Sequence, residues 1–159
     1  MPLNAASAAD LRIPPLADPS EGPLGSVADS LAQPVFVKDR EGRFVYANAA
    51  FAAITGLGPE ALLGQTDHDV FPAAEAERIW CREAEALASG VAVELREEPL
   101  TDRAGHARVI DELIVPLRAS AGEVTHLVGI IHDITHLKER ERALRRGTQE
   151  LERLVSERT

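Results

Sequence analysis

The chain contains a single cysteine, Cys81, and aromatic residues make up only 4% of it. One cysteine excludes an internal disulfide and fits a reducing compartment, so the expected location is cytoplasmic. With so few aromatics, the core has to be built mainly from Val, Ile, Leu and Ala. Basic residues are also short, 17 Lys and Arg against 26 Asp and Glu, for a net charge of −9. That balance argues against a nucleic-acid surface, which needs clustered cations to displace phosphate counterions. It argues equally against docking on an anionic membrane. No apolar run approaches the roughly 20 residues of a membrane-spanning helix. Met1-Pro2-Leu3-Asn4-Ala5 lacks the basic and apolar regions of a secretory signal.

What is present suffices for one ordinary domain with extensions: 159 residues, 45% of them hydrophobic. The charge is unevenly placed. Residues 1–137 carry 10 basic and 21 acidic side chains, whereas residues 138–159 carry 7 and 5. An acidic body with a mixed-charge tail suggests two parts with different tasks.

Five prolines among residues 1–25 (Pro2, Pro14, Pro15, Pro19 and Pro23) leave no apolar periodicity, which predicts a disordered arm. Ser26-Val27-Ala28-Asp29 has the spacing of a capping box and opens a short helix that Pro34 ends. Val35 to Lys38 and Arg43 to Ala47 are β-rich runs across a turn with Gly42, and so form a hairpin. Asn48 suits an N-cap, Ala49 to Thr55 is helical in composition, and Gly56 stops it. Short capped pieces follow at Pro59 to Gly64 and Thr66 to Pro72. Ala73 to Ser89 reads as a long helix with Ala76, Ile79, Trp80, Glu83 and Leu87 near one face. Val91 to Arg96, Val109 to Leu117 and Val124 to His132 then read as strands. This order predicts an α+β domain, a five-stranded antiparallel sheet with helices over one face, followed by a long C-terminal helix. The expected boundaries are an arm at 1–25, the α+β domain at 26–132 and the helix at 133–159.

Several local phrases, in this order and at this spacing, resemble the PAS domain family. They are Pro34-Val35-Phe36-Val37-Lys38-Asp39 with Gly42, Asn48-Ala49-Ala50-Phe51, Leu62-Leu63-Gly64-Gln65-Thr66-Asp67, Val70-Phe71-Pro72, Pro116-Leu117, and Gly129-Ile130-Ile131-His132-Asp133-Ile134-Thr135. The Asp133-Ile134-Thr135 triplet, closing a strand and opening a helix, is the most telling. The resemblance implies a sheet cupping a small pocket beneath the helices, used to sense a ligand and relay a change of shape. Where related domains often carry Asp on the long helix, this chain has Glu83.

A ligand pocket is expected to draw on Trp80 and Glu83 of the long helix, on Asp111 and Glu112, and on Val128 and Ile130 of the last strand. Asp111 and Glu112 are adjacent in a strand and point to opposite faces, so one of them faces the cup. A carboxylate there must find a partner or titrate, and an ion pair with Arg96 or Arg108 is the preferred reading over a cationic or hydroxylated ligand. Haem-binding relatives ligate iron from the long helix, which here holds no histidine; His68, just before it, is the remaining candidate. Light-sensing relatives place a cysteine in an Asn-Cys-Arg phrase that this chain lacks. No metal site and no cofactor are firmly implied. The acidic pairs Asp67/Asp69, Glu97/Glu98 and Asp111/Glu112 are read as surface carboxylates, since no nucleophile, phosphate loop or metal-spaced cluster accompanies them. The chain is expected not to be an enzyme.

From Asp133 the helix signals agree. Leu137, Leu144 and Leu151 recur every seven residues, with Ile134, Glu141, Thr148 and Val155 at the alternate seam positions. Polar Glu141 and Thr148 and the helix-weakening Gly147 make the seam marginal, which suits a pair that changes register. The expected partner is a second copy, joined through Leu137, Leu144, Leu151 and Val155. The resemblance implies that such a helix feeds a histidine kinase, a diguanylate cyclase or another effector beyond Thr159; the chain is then a fragment, the preferred reading, or a separate partner subunit. The leading reading is a sensory module in signal transduction; the alternative is a ligand-free dimerisation module, and a haem or flavin sensor stands third.

Overall fold

The computed structural model describes residues 33–158. The arm expected at 1–25 and the helix opening at Ser26 lie outside the described residues.

Two short, continuous apolar runs pair antiparallel as the first hairpin, β1 (Val35–Asp39) and β2 (Phe44–Ala47). Asn48 then joins strand to helix. Its Oδ1 accepts the N–H of Phe51, capping α1 (Ala49–Thr55), and also the N–H of Val35 at the start of β1, both at 3.0 Å. Gly56, at φ +74°, ends α1 in the left-handed conformation and donates to Ala52 O. Two one-turn helices follow, α2 (Pro59–Leu62) and α3 (Asp67–Val70), then the long α4 (Ala73–Ser89). The chain finishes with β3 (Val93–Thr101), β4 (Ala107–Arg118), β5 (Val124–Asp133) and α5 (Thr135–Arg158). All strand pairings are antiparallel, in the order β2-β1-β5-β4-β3.

Helices α1 to α4 lie on one face. Between them and the sheet is the main core, where Phe36, Phe44 and Phe51 stack with ring centroids 4.8–5.8 Å apart. All four phenylalanines thus sit in one cluster, Phe71 beside the stacked three, and aliphatics fill most of the rest. Gly129 makes the stack fit. It lies opposite Phe36 in the β1–β5 ladder, and a Cβ there would come within 2.1 Å of the Phe36 ring. On the other face Val35, Val37 and Tyr46 form a separate cluster with Val45, Val128 and Ile130.

Strand β3 runs five residues past Arg96, the end read from the sequence, because Glu98 to Thr101 continue to pair with β4 beyond an irregularity between Leu95 and Glu98. Glu97 sits in that irregularity at φ +53°, a conformation L residues rarely adopt.

Candidate functional site

A cavity of about 30 Å³ lies between α4 and the sheet. Its floor is Ile110, Glu112 and Ile114 of β4 with Ile131 of β5, and Phe36 and Lys38 of β1 close one side. The period-two rule explains the membership: alternate residues of β4 and of β1 face the helices.

Lys38 is the chemical centre. In a run of Val, Phe and Val, it shares the inward face with Phe36, and only 1% of it is exposed. Its Nζ donates to Asp67 Oδ2 at 2.5 Å and to both carboxylate oxygens of Glu83 at 2.8 and 2.9 Å. Three ammonium protons therefore meet three acceptors, and the charge also lies 4.6–4.8 Å from the rings of Phe36 and Phe44. Burial works against the Lys38 charge, but Glu83 and Asp67 outweigh it and hold the ammonium above its usual range. For Glu83 burial wins: its carboxyl is pushed up despite Lys38, with Asp67 adding to the rise. A buried cluster of this kind costs desolvation and stabilises little in net terms, yet removing one partner strands the others.

Glu112 differs from these. It makes no hydrogen bond or ion pair among the described residues, and burial pushes its carboxyl up to about 7. At the rim, Arg82 of α4 and Glu98 of β3 pair at 2.8 Å.

The helix begins at a second polar network. Asp133 Oδ1 accepts the N–H of Thr135 at 3.0 Å and its hydroxyl at 2.5 Å, while the Val109 N–H of β4 donates to Thr135 Oγ1 at 3.1 Å. Ile134 N–H donates to Val109 O, and the Ile134 side chain is buried. Arg108 bridges Asp133 at 2.8 Å and Asp102 at 3.1 Å. Burial opposes the ionised Asp133, but the Thr135 hydrogen bonds and Arg108 hold its carboxyl below the usual range. Lys138, one turn on, pairs with Glu97 at the β3 irregularity. The start of α5 is therefore tied to β3, β4 and β5 together.

These positions settle the sequence expectations unevenly. Glu83 and Glu112 line the cavity, and Asp133, Ile134 and Thr135 form the strand-to-helix joint. Asp111 does not face the cavity; its Oδ1 accepts the Glu97 N–H at 2.8 Å on the other side of the sheet. Val128 and Ile130 also lie on that opposite face, since Leu127, Gly129 and Ile131 take the inward positions. Trp80 stacks over Gly42, where a Cβ would meet its ring at 2.7 Å, and is not part of the cavity wall. The expected ion pair with Arg96 or Arg108 is not formed by either carboxylate: Arg96 pairs with Glu94 and Arg108 with Asp102 and Asp133. Asp67, read as a surface carboxylate, is buried. His68 lies exposed beside Glu77, away from the cavity. Ile134, read as a seam position, is committed to its own domain, whereas Leu137, Leu144, Leu151 and Val155 are all exposed.

Lys38 was missed. Its signal was available: a lone cation on the inward period of an otherwise apolar strand needs buried acids, and Asp67 and Glu83 stand on the covering helices.

Among the described residues no helix is long and apolar enough to cross a membrane, and no group of three or more His, Cys, Asp or Glu is placed to hold a metal.

A five-stranded antiparallel sheet cupped by helices around a small polar-centred cavity, with a helix leaving its last strand, is the architecture of a sensory input domain. The chain belongs to the PAS family, matching the family described as the PAS fold over residues 28–139. It is similar to the methanogenesis regulatory histidine kinase FilI of Methanothrix harundinacea, with 33% identity over 120 residues, 76% of this chain and 13% of that protein. It is also similar to a diguanylate cyclase of Vibrio cholerae, with 31% identity over 114 residues, 71% of this chain and 36% of that protein. Among solved structures, VqmA bound to DPO superposes with a TM-score of 0.61 at 25% identity, covering 68% of this chain and 55% of that one. The chain thus spans a minor part of the curated relatives it matches.

Proposed function

We propose that this domain senses a small molecule in the Lys38–Glu112 cavity and passes the change to α5, which pairs with a second copy and drives an effector of the kinase or cyclase type. The observation that carries this reading is the joint. Ile110, Glu112 and Ile114 face the cavity from the same strand, β4, whose Val109 is hydrogen-bonded through its N–H to Thr135, the first residue of α5, and through its C=O to Ile134 just before it. A ligand that moves β4 relative to β5 changes those bonds directly. The VqmA relative, bound to DPO, supports ligand occupancy of this fold; the kinase and cyclase relatives support the effector class.

The stripe of Leu137, Leu144, Leu151 and Val155 supports pairing, because these apolar side chains are exposed along a helix whose stability has to come mostly from burying such a face. Thr148 bonds back to Leu144 O, and Gly147 lies beside it, so this stretch is the weak part of the seam. In this reading the domain works in the cytoplasm and is a regulator without catalysis of its own, its buried lysine being saturated by carboxylates.

The second reading, a dimerisation module that binds nothing, is favoured by one observation. A cavity of about 30 Å³ holds roughly two waters, at ~10–15 Å³ each. Native mass spectrometry of the purified chain separates the two. Dimers with an added non-covalent mass are expected; dimers without one in freshly lysed and in purified protein alike favour the second reading. In the full-length protein, Asp133→Ala is expected to uncouple output from input. Output unchanged in both signalling states would refute the relay.

A further inference from the structure

We propose that the cavity selects a small organic ammonium ion, with Glu112 as its anchor. The proposal rests on the sensor reading above and narrows it to a ligand class.

The case is one of elimination among the charged groups that line the cavity. Lys38 is saturated by Asp67 and Glu83. Arg82 is paired with Glu98 at the rim, and Arg78 is held by Glu75 and the carbonyl of Pro99. Every cation that could meet an anionic ligand is thus committed within the chain. An incoming carboxylate or phosphate would find no uncommitted cation among the described residues and would face Asp67, Glu83, Glu98 and Glu112 together. Glu112 alone among these side chains has no hydrogen bond or ion pair within the described residues. A ligand that donates hydrogen bonds and carries positive charge is the complement of what remains.

The surroundings fix the rest of the ligand. Glu112 lies opposite Ile131 in the β4–β5 ladder and opposite Leu95 in the β3–β4 ladder, with Ile110 and Ile114 on its own strand facing the same way. An alkyl group beside the ammonium would meet aliphatic side chains. The small volume allows only a few heavy atoms before the Arg82–Glu98 bridge has to part.

Proton and ammonium compete for the same carboxylate. Burial raises Glu112 to about 7, Lys38 of β1 and Arg82 of α4 lower it, and Asp67 of α3 and Glu98 of β3 raise it; Glu83 of α4 completes the ring of charge. Below neutrality Glu112 keeps its proton and loses its pull on a cation, so affinity for an ammonium rises as pH rises from 6 to 8.

The test is an NMR amide titration of the full chain with ethylammonium, ethanol and acetate at constant ionic strength. At pH 8, ethylammonium is expected to shift the amides of Ile110 to Ile114 and Ile131 saturably, at least about tenfold more tightly than ethanol, with acetate silent. Glu112→Gln should bring ethylammonium to the level of ethanol, and in the unmutated chain affinity should fall severalfold from pH 8 to pH 6. Acetate binding as well as ethylammonium, or unaltered ethylammonium binding by the folded Glu112→Gln variant, overturns the ammonium class while leaving the cavity a ligand site. A pH-independent affinity in the unmutated chain overturns Glu112 as the anchor without recourse to a variant. If none of the three probes moves those amides, both the ammonium class and the cavity reading fail.

Discussion

Lys38 and Arg153 each sit between two carboxylates at similar distances, and they do opposite things. Lys38 bridges Asp67 and Glu83 at 2.5–2.9 Å with all three side chains at most 3% exposed. Arg153 bridges Glu150 and Glu157 at 2.6–2.7 Å with all three more than half exposed. In water the second fork is screened and its long side chains lose entropy to hold it, so it adds next to nothing. Inside the domain the first fork cannot be left incomplete, because the solvent that would replace a missing partner is not there. Burial, not the pairing distance, decides what an ion pair does. The body of the domain uses its charges to fix one arrangement of β1, α3 and α4; α5 keeps its charges solvated and its leucines exposed.

The largest effect should come from breaking the buried fork. Lys38→Met leaves Asp67 and Glu83 facing each other, and about 3–5 kcal/mol of stability should be lost in urea denaturation at pH 7. Protonating the stranded acids should return part of it at pH 5. A loss under about 1 kcal/mol would mean the cluster admits water and the contrast with Arg153 is one of degree.

Next is the pH dependence. A carboxyl whose folded value is raised holds its proton more tightly when folded. Its stabilising contribution is therefore complete below the ordinary carboxylate range and is lost as pH rises through the folded value. Glu112, raised to about 7, should cost on the order of 2 kcal/mol between pH 5 and 8, and Glu83 acts in the same direction. Glu112→Gln should flatten that part of the profile. Asp133 and Asp102, held low, have the opposite sign and matter only at acid pH, below the ordinary carboxylate range.

Thr135→Val should rank third. It removes the hydroxyl that joins Asp133 to Val109 and leaves the Val109 N–H without its partner, a loss of about 1–2 kcal/mol. The loss should be accompanied by earlier fraying of α5 in amide exchange. Smallest is Arg153→Ala, which should leave the urea midpoint unchanged within error; a measurable drop would show that the exposed fork is covered by a second chain.

What the sequence made legible follows the same division between local and non-local physics. Helix α1 was readable to the residue because Asn48 and Gly56 mark its ends with local chemistry, and α4 because its apolar spacing persists over four turns. The faces of β5 were not. Val128 and Ile130 are as apolar as Leu127 and Ile131, so alternation names two faces without saying which is inward. The choice between Asp111 and Glu112 has the same character and is settled by the register of β4 against β5. The irregularity at Glu97 shifts β3; Pro99, two residues on, marks an edge strand without saying where the extra residue falls. The buried cluster escaped notice as a unit since Asp67 and Glu83 lie 29 and 45 residues from Lys38, and only Glu83 was placed on an inward face.

The central claim is that the cavity and α5 are joined through the residues around Asp133 and Thr135. Amide hydrogen exchange of the full chain at pH 7.5, with and without Glu112→Gln, tests it most directly, because the substitution changes charge inside the cavity and touches nothing at the joint. The account predicts altered protection at Val109, Ile134 and Thr135 and along the first turn of α5 as well as around Glu112. A change confined to β4 near Glu112 and its neighbours in β3 and β5, with those three amides unmoved, would contradict it.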